Sequence, residues 1–195
     1  MSGRPSCPCP PVPPLKPADY EWDRAPLWGC CDEADPEVME KQIEEATRHG
    51  VNVFIYDWYW YDRRPFLEQC LDEGFLGASN NESMQFYVMW ANHDAGYTWD
   101  VRLSDLIFRA GDSTVWSGQV DRREFETVAH RIIEKYFSRP NYYRINGKPL
   151  FMIYDVDNLV KGLGGIENTR DALNWFRGEA VKAGHPGLEL QLAAW

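Results

Sequence analysis

A short apolar segment followed by four consecutive aromatic residues constrains this chain more than any other feature. Residues 51–56 (VNVFIY) follow Gly50 and are rich in β-branched and aromatic side chains, as is typical of a parallel strand covered on both faces. Residues 57–62 (DWYWYD) then place four aromatic side chains between two carboxylates. Aromatic rings can stack on the C–H faces of sugars while carboxylates accept hydrogen bonds from sugar hydroxyls. This pattern indicates a sugar-binding cleft, and the alternative is that the aromatics are ordinary core residues.

The composition excludes several classes of protein. The chain has 195 residues, 44% of them hydrophobic, which is enough for one domain with a sizeable core. The 30 acidic and 20 basic side chains give a net charge of -10, and no run of Lys or Arg could follow a phosphate backbone, so we expect no nucleic-acid partner. No stretch approaches the roughly 20 apolar residues of a membrane span. Because no apolar signal segment follows Met1, we predict a cytoplasmic location.

The N-terminal region differs in composition from the rest of the chain. Residues 1–19 are rich in Pro and poor in charge, which predicts a disordered arm ahead of one domain over residues 20–195. The chain contains five cysteines, Cys7, Cys9, Cys30, Cys31 and Cys70. The first four could form a thiolate zinc site, but neither pair has the usual spacing. Free thiols are the favoured interpretation, and we predict no metal and no other cofactor.

Apolar periodicity predicts alternating helices and strands along this domain. The predicted helices cover residues 36–49, 65–73, 121–137 and 168–183, and the predicted strands cover residues 51–56, 84–90, 148–154 and 188–195. Residues 95–120 have no clear period and are expected to form a long binding loop. Strands that alternate with helices imply a parallel sheet with right-handed crossovers.

Two architectures fit this alternation, a (β/α)8 barrel and an open doubly wound sheet. We predict the barrel, because every strand ends in aromatic residues and carboxylates or amides, and barrel enzymes carry their chemistry at that end. A complete barrel has eight strands in about 250 residues, whereas this sequence predicts four strands, with a fifth allowed before Tyr20. The predicted fold is therefore α/β, a partial TIM-type barrel with four to five parallel strands, in a fragment of a longer protein.

The side chains that follow the predicted strands are the candidate site. They are Asp57, Trp58, Trp60, Asp62, Trp90, Asn92, His93, Tyr154 and Asp155. Glycoside hydrolysis uses two carboxyl groups about 5 to 9.5 Å apart, and Asp57 and Asp155 are the natural catalytic pair. The alternative is that one or both bind ligand hydroxyls or cap a helix.

The remaining candidates are predicted to bind substrate. The tryptophans are expected to stack on sugar rings, although Trp90 equally suits a core position. Asn92 suits a sugar hydroxyl or an N-acetyl group, and Asp62 and Tyr154 are also predicted to bind substrate. His93 could act as a general base or metal ligand, but without a second His at ligand spacing a hydrogen bond to substrate is favoured.

Several motifs also occur in a fixed order along the chain. They are residues 26–29 (PLWG), 32–38 (DEADPEV), 54–60 (FIYDWYW), 73–76 (EGFL), 89–93 (MWANH), 136–142 (YFSRPNY) and 146–149 (NGKP). Together they resemble the glycoside hydrolase family 99-like domain, a group that includes WbsX-like glycosyltransferases of bacterial polysaccharide clusters. The resemblance runs from about Trp22 to the end of the chain. It implies a (β/α)8 barrel that acts without a metal on α-linked mannosides or related glycans, by endo-acting, retaining hydrolysis.

The resemblance carries over to this chain only in part. It marks six residues as sugar-site positions, namely Asp57, Trp58, Trp60, Trp90, Asn92 and His93. The two key glutamates of the family lie on later strands, outside this sequence. The Pro and Cys arm also replaces the first strand of the family, and residues 29–31 (GCC) stand where an aromatic pair is usual.

Three functions are compatible with these observations, each with an oligosaccharide or polysaccharide as partner. The leading hypothesis is glycosidic bond hydrolysis by the full protein. The second is transfer of a glycosyl unit during surface polysaccharide synthesis, although the sequence offers no Gly-rich or basic cradle for a nucleotide-sugar diphosphate. The third is a non-catalytic glycan-binding module.

Overall fold

The computed structural model describes residues 28–29, 31–96 and 114–193. They form a mixed α/β fold on a curled, half-barrel sheet. The predicted arm over residues 1–19 lies outside the described residues, as do Cys30 and most of the predicted binding loop.

Four strands form the parallel part of the sheet. β1 (Val53–Tyr61) pairs with β3 (Gln85–Trp90), β3 pairs with β7 (Lys148–Ile153), and β7 pairs with β8 (Glu189–Leu192). The strands therefore lie side by side in chain order, without the reversal that marks a doubly wound sheet. Their carboxyl ends reach one edge of the sheet, as predicted.

β1 is longer than the sequence predicted. The strand continues through the aromatic residues and turns at Asp62 and Arg63, both with positive φ (51° and 59°), into the antiparallel strand β2 (Arg64–Phe66). The predicted helix over residues 65–73 is therefore wrong at its start. Aromatic residues favour strands, and the hairpin pairs Tyr59 with Phe66. A π-helical segment, Cys70–Phe75, follows the hairpin.

The other helical predictions are confirmed to within about two residues. The helices are α1 (Pro36–Arg48), α2 (Arg122–Ile132) with a π-helical extension (Ile133–Phe137), and α4 (Ile166–Lys182). A short helix, α3 (Val156–Gly162), follows β7 and was not predicted. A turn at Asn146 and Gly147 joins the short strand β6 (Arg144–Ile145) to β7, as the sequence indicated.

The two faces of the sheet have different surroundings. One face packs against helices, as in the contacts of Tyr56 with Met39 of α1, Trp90 with Phe125 of α2, and Phe151 with Phe176 of α4. The opposite face is open, and Ile55 remains 52% exposed there. Because strand residues alternate between faces, β1 directs Asp57 and Tyr59 to the open face and Trp58 and Trp60 to the helices.

A second, small sheet lies beyond the end of β3. β4 (Ala95–Gly96) and β5 (Thr114–Trp116) pair as antiparallel strands at the two ends of the segment that was predicted to be a loop. None of the helices within the described residues has both the length and the apolar character that crossing a membrane requires.

Candidate functional site

Side chains from the ends of three neighbouring strands meet at the carboxyl edge of the open face. The ring of His93 lies 6.0 Å from that of Tyr59 and 5.5 Å from that of Tyr154, in edge-on contacts. Asp57 precedes Tyr59 by two residues on the same face of β1. Three of these residues, Asp57, His93 and Tyr154, were predicted from the sequence. We refer to Asp57, Tyr59, His93 and Tyr154 as the Asp57 cluster.

The side chains of the cluster influence one another's ionisation. Asp57 is exposed, but burial of part of its surface raises the pKa of its carboxyl group, and the nearby His93 lowers it by less. Burial, followed by the charge of Asp57, raises the pKa of Tyr59. The Tyr59 hydroxyl therefore stays protonated at neutral pH and can donate a hydrogen bond beside a carboxylate that accepts one.

The three predicted stacking tryptophans lie on the helix-covered face instead. Trp58 is 2% exposed, Trp60 5% and Trp90 0%. The indole Nε1 of Trp58 donates to Glu68 Oε1 at 2.9 Å, and that of Trp60 donates to Glu124 Oε1 at 2.8 Å. Their rings are core residues here and are not accessible to a sugar, which is the alternative that the sequence left open.

Asn92 joins the ends of two strands and does not face a ligand. It is 1% exposed, its Nδ2 donates to the backbone oxygen of Asp155 at 2.6 Å, and its Oδ1 accepts from the backbone nitrogen of Asp155 at 2.8 Å. Both polar groups of the amide are thereby used. Asn92 positions the segment that carries His93 relative to the end of β7.

Asp155 and Asp62 occupy structural positions as well. The Oδ1 of Asp155 accepts a hydrogen bond from the backbone nitrogen of Asn158 at 2.8 Å and caps the N-terminus of α3. This is the helix-capping alternative to the predicted catalytic role. Asp62 is exposed in the turn between β1 and β2, one position past the end of the strand.

We expect Asp155→Ala to lower the free energy of unfolding by about 1 kcal/mol, because the substitution removes an N-cap. Asp155→Asn should retain most of this stability, since asparagine caps helices as well as aspartate does. Urea denaturation of both variants measures the difference. Equal loss in both variants would show that the charge matters and not the cap.

Asp94, one of the polar residues that follow the predicted strand over residues 84–90, fixes the segment after β5. Its Oδ1 accepts hydrogen bonds from the backbone nitrogen of Gly118 (2.7 Å), the hydroxyl of Ser117 (3.1 Å) and Nδ2 of Asn158 (3.2 Å). One carboxylate oxygen thus links the ends of β3, β5 and β7. The only sequence signal was its position directly after His93.

The described residues offer no metal centre. Within residues 28–29, 31–96 and 114–193, no three His, Cys, Asp or Glu side chains are arranged to hold a metal ion. Of the four cysteines in the zinc alternative, only Cys31 lies among the described residues, and it is a free thiol.

Comparisons with known proteins find two similar curated proteins. Two curated relatives, both called Uncharacterized protein WxcX, come from strains B100 and ATCC 33913 of Xanthomonas campestris pv. campestris. Each is 25% identical over 153 residues, which is 78% of this chain and 20% of the relative. The chain therefore spans about a fifth of the length of these relatives.

Two solved structures show weaker similarity. The GH99 endo-alpha-mannosidase from Bacteroides thetaiotaomicron is 22% identical with a TM-score of 0.37, over 68% of this chain and 31% of that one. A glycoside hydrolase-like protein is 17% identical with a TM-score of 0.48, over 88% of this chain and 46% of that one. A profile of the family described as Glycosyltransferase WbsX matches residues 24–194. Since this match covers well over half of the sequence, the chain belongs to the WbsX family.

Proposed function

We propose that this chain is the glycan-recognising part of a carbohydrate-active enzyme of the glycoside hydrolase family 99-like type. In this proposal its four parallel strands are one side of a (β/α)8 barrel. The full protein hydrolyses glycosidic bonds in an α-mannoside or a related polysaccharide. The observation that carries the proposal is the convergence of Asp57, Tyr59, His93 and Tyr154 at the carboxyl edge of the sheet. Membership of the WbsX family supports the carbohydrate class.

The Asp57 cluster has the chemistry that a sugar requires. The Asp57 carboxylate accepts hydrogen bonds from sugar hydroxyls, and the Tyr59 hydroxyl donates one beside it. Burial of part of the Asp57 side chain reduces competition from water for these bonds. Asp155 caps α3 in this proposal, so Asp57 is the carboxylate of the described site that touches the substrate.

The first test of the proposal is the charge of Asp57. Affinity for yeast α-mannan is measured as the retention of the chain in gels that contain it. We expect Asp57→Asn to lower this apparent affinity about tenfold, since hydrogen bonds to a charged group contribute about 1.5–3 kcal/mol. The matched control is Asp171→Asn, which neutralises an exposed carboxylate on α4. Equal retention of both variants and the unmodified chain would contradict the role of Asp57.

The pH dependence of binding provides a second test of the same group. The pKa of Asp57 is raised, mainly by burial. If the ionised form binds the glycan, affinity is complete above this raised pKa and is lost as the pH falls through it. The midpoint should therefore lie above the ordinary aspartate value of about 3.9, and Asp57→Asn should abolish the transition. A midpoint at or below the ordinary value would contradict this prediction.

Glycosyl transfer is the second candidate function, favoured by the description of the matching family as a glycosyltransferase. A third is a glycan-binding module without activity. Incubation of the full-length protein with α-mannan separates the three. New reducing ends indicate hydrolysis, turnover that requires an activated sugar donor indicates transfer, and binding without either indicates a module.

A further inference from the structure

Trp116 presents a large aromatic surface beside the Asp57 cluster. It is the last residue of β5 and is 37% exposed. Its ring stacks on Tyr61 at 5.9 Å with an interplanar angle of 26°, and it meets Phe66 at 5.4 Å and 58°. Tyr61 thus supports one face of the indole and Phe66 contacts it at an angle.

The position of Trp116 is fixed by the segment that carries His93. Trp116 pairs with Ala95, which is 1% exposed, in the ladder between β4 and β5. The two residues that follow it, Ser117 and Gly118, donate hydrogen bonds to Oδ1 of Asp94. Asp94 and Ala95, the two residues directly after His93, therefore fix Trp116 and the residues that follow it. These contacts preorganise Trp116 relative to the site.

Aromatic rings connect Trp116 to the Asp57 cluster. Tyr61 stacks on Tyr59 at 6.1 Å and 27°, and its hydroxyl donates to the backbone oxygen of His93 at 2.9 Å. Trp116, Tyr61, Tyr59 and His93 thus follow one another, each ring in contact with the next. Tyr61 is 3% exposed and lies between Tyr59 and Trp116, so a ligand bound at Asp57 that extends toward β5 passes over Tyr61 before it reaches the indole.

We infer that Trp116 stacks on a further sugar unit of an oligosaccharide that is bound at the Asp57 cluster. The inference rests on the proposed function, and it concerns a residue to which the sequence gave no role. A sugar needs both an apolar ring to stack on and polar groups for its hydroxyls, and this edge of the sheet provides the two side by side. A purely apolar protein partner would leave the adjoining Asp57 carboxylate without a hydrogen-bond donor.

The test compares two ligands that differ in length. The dissociation constants of an α-linked mannotetraose and of methyl α-mannoside are measured with the unmodified chain, Trp116→Ala, Trp116→Phe and Asp57→Ala. We expect Trp116→Ala to weaken tetraose binding about tenfold and to leave methyl α-mannoside binding unchanged. Trp116→Phe retains a ring and should recover most of the loss. Val115→Ala, a truncation of a 41% exposed neighbour on the same strand, should bind both ligands normally.

Each other outcome overturns the inference in a recognisable way. If Trp116→Ala binds tetraose normally while Asp57→Ala does not, the stacking role is wrong and the proposed function stands. If Trp116→Ala loses both ligands equally, the residue acts only through the shape of the site. Normal sugar binding by Trp116→Ala, together with a loss of self-association in sedimentation velocity, would make this surface a protein contact. If the unmodified chain binds neither ligand, the proposed function fails together with the inference.

Discussion

Replacing Glu68 with glutamine should lower the free energy of unfolding by about 3 kcal/mol, because removal of one partner from a buried ion pair leaves the others uncompensated. Glu68 is 9% exposed and lies beneath the helix-covered face of the sheet. Its carboxylate accepts hydrogen bonds from the Trp58 indole (2.9 Å), the Tyr136 hydroxyl (2.7 Å) and Arg131 Nε (3.0 Å). It also pairs with Lys135 at 3.2 Å. We place the loss at the low end for such pairs because Arg131 and Lys135 are each about a third exposed and can regain water.

A surface pair on α2, the helix that carries Arg131, provides the matched control for Glu68→Gln. Arg122 and Glu126 of α2 lie 2.6 Å apart, but their side chains are 38% and 37% exposed. Exposed pairs contribute about 0–1 kcal/mol, so Glu126→Gln should cost 1 kcal/mol or less. Urea denaturation of the two variants at neutral pH compares them directly. Equal losses of unfolding free energy in the two variants would contradict the buried ion pair at Glu68.

The pH dependence of this stability has a defined sign. Burial alone would raise the pKa of Glu68, but hydrogen bonds from Arg131, Trp58 and Tyr136 outweigh it and lower the pKa from 4.5 to about 2. A lowered carboxyl pKa stabilises the fold above the unfolded value, and the stabilisation is lost as the pH falls from about 4.5 to about 2. Asp72 opposes part of this loss, because its pKa is raised, chiefly by burial. The stability gap between the unmodified chain and Glu68→Gln should therefore narrow at pH 3.

The parallel sheet was predictable because its central strands are nearly continuous apolar runs bounded by helices. The hairpin after β1 was not, because residues 57–62 combine strand-favouring aromatics with carboxylates, and the sequence does not say where pairing ends. The short helix α3 was missed for a similar reason. The only sequence signal for α3 is the N-cap residue Asp155, and an aspartate at that position could equally bind substrate.

Three of the four residues of the Asp57 cluster, Asp57, His93 and Tyr154, were among the predicted site residues, and Tyr59 was not. Alternation along β1 requires that Asp57 and Tyr59 face one way and Trp58 and Trp60 the other. It does not say which face the helices cover, because both faces carry aromatic residues. Tyr59 was therefore not predicted, and the tryptophans that were expected to stack on sugars lie on the helix-covered face. Trp116 lies in a segment without periodicity, so its contact with Tyr61 is visible only in three dimensions.

Gly118→Ala should both destabilise the chain and weaken glycan binding. A Cβ at this position would lie 2.2 Å from the backbone oxygen of Asn92 and 2.5 Å from that of His93. Backbone atoms cannot rotate away as side chains do, so the segment after β5 must move. Such overpacking costs about 1–3 kcal/mol, and we expect a loss near 3 kcal/mol in the free energy of unfolding because two backbone oxygens are blocked at once.

The loss of binding follows from the same displacement. The hydrogen bond from the Gly118 nitrogen to Asp94 holds Trp116 and His93 in one arrangement, and moving Gly118 breaks it. Gly178→Ala is the matched control, since a Cβ there meets no atom within 4 Å in the middle of α4. That variant should gain about 0.5–1 kcal/mol, because alanine favours a helix over glycine. Urea denaturation and retention in α-mannan gels measure both effects. A Gly118→Ala chain as stable and as strongly retained as Gly178→Ala would mean that the contact between residues 92–94 and 117–118 does not hold the site together.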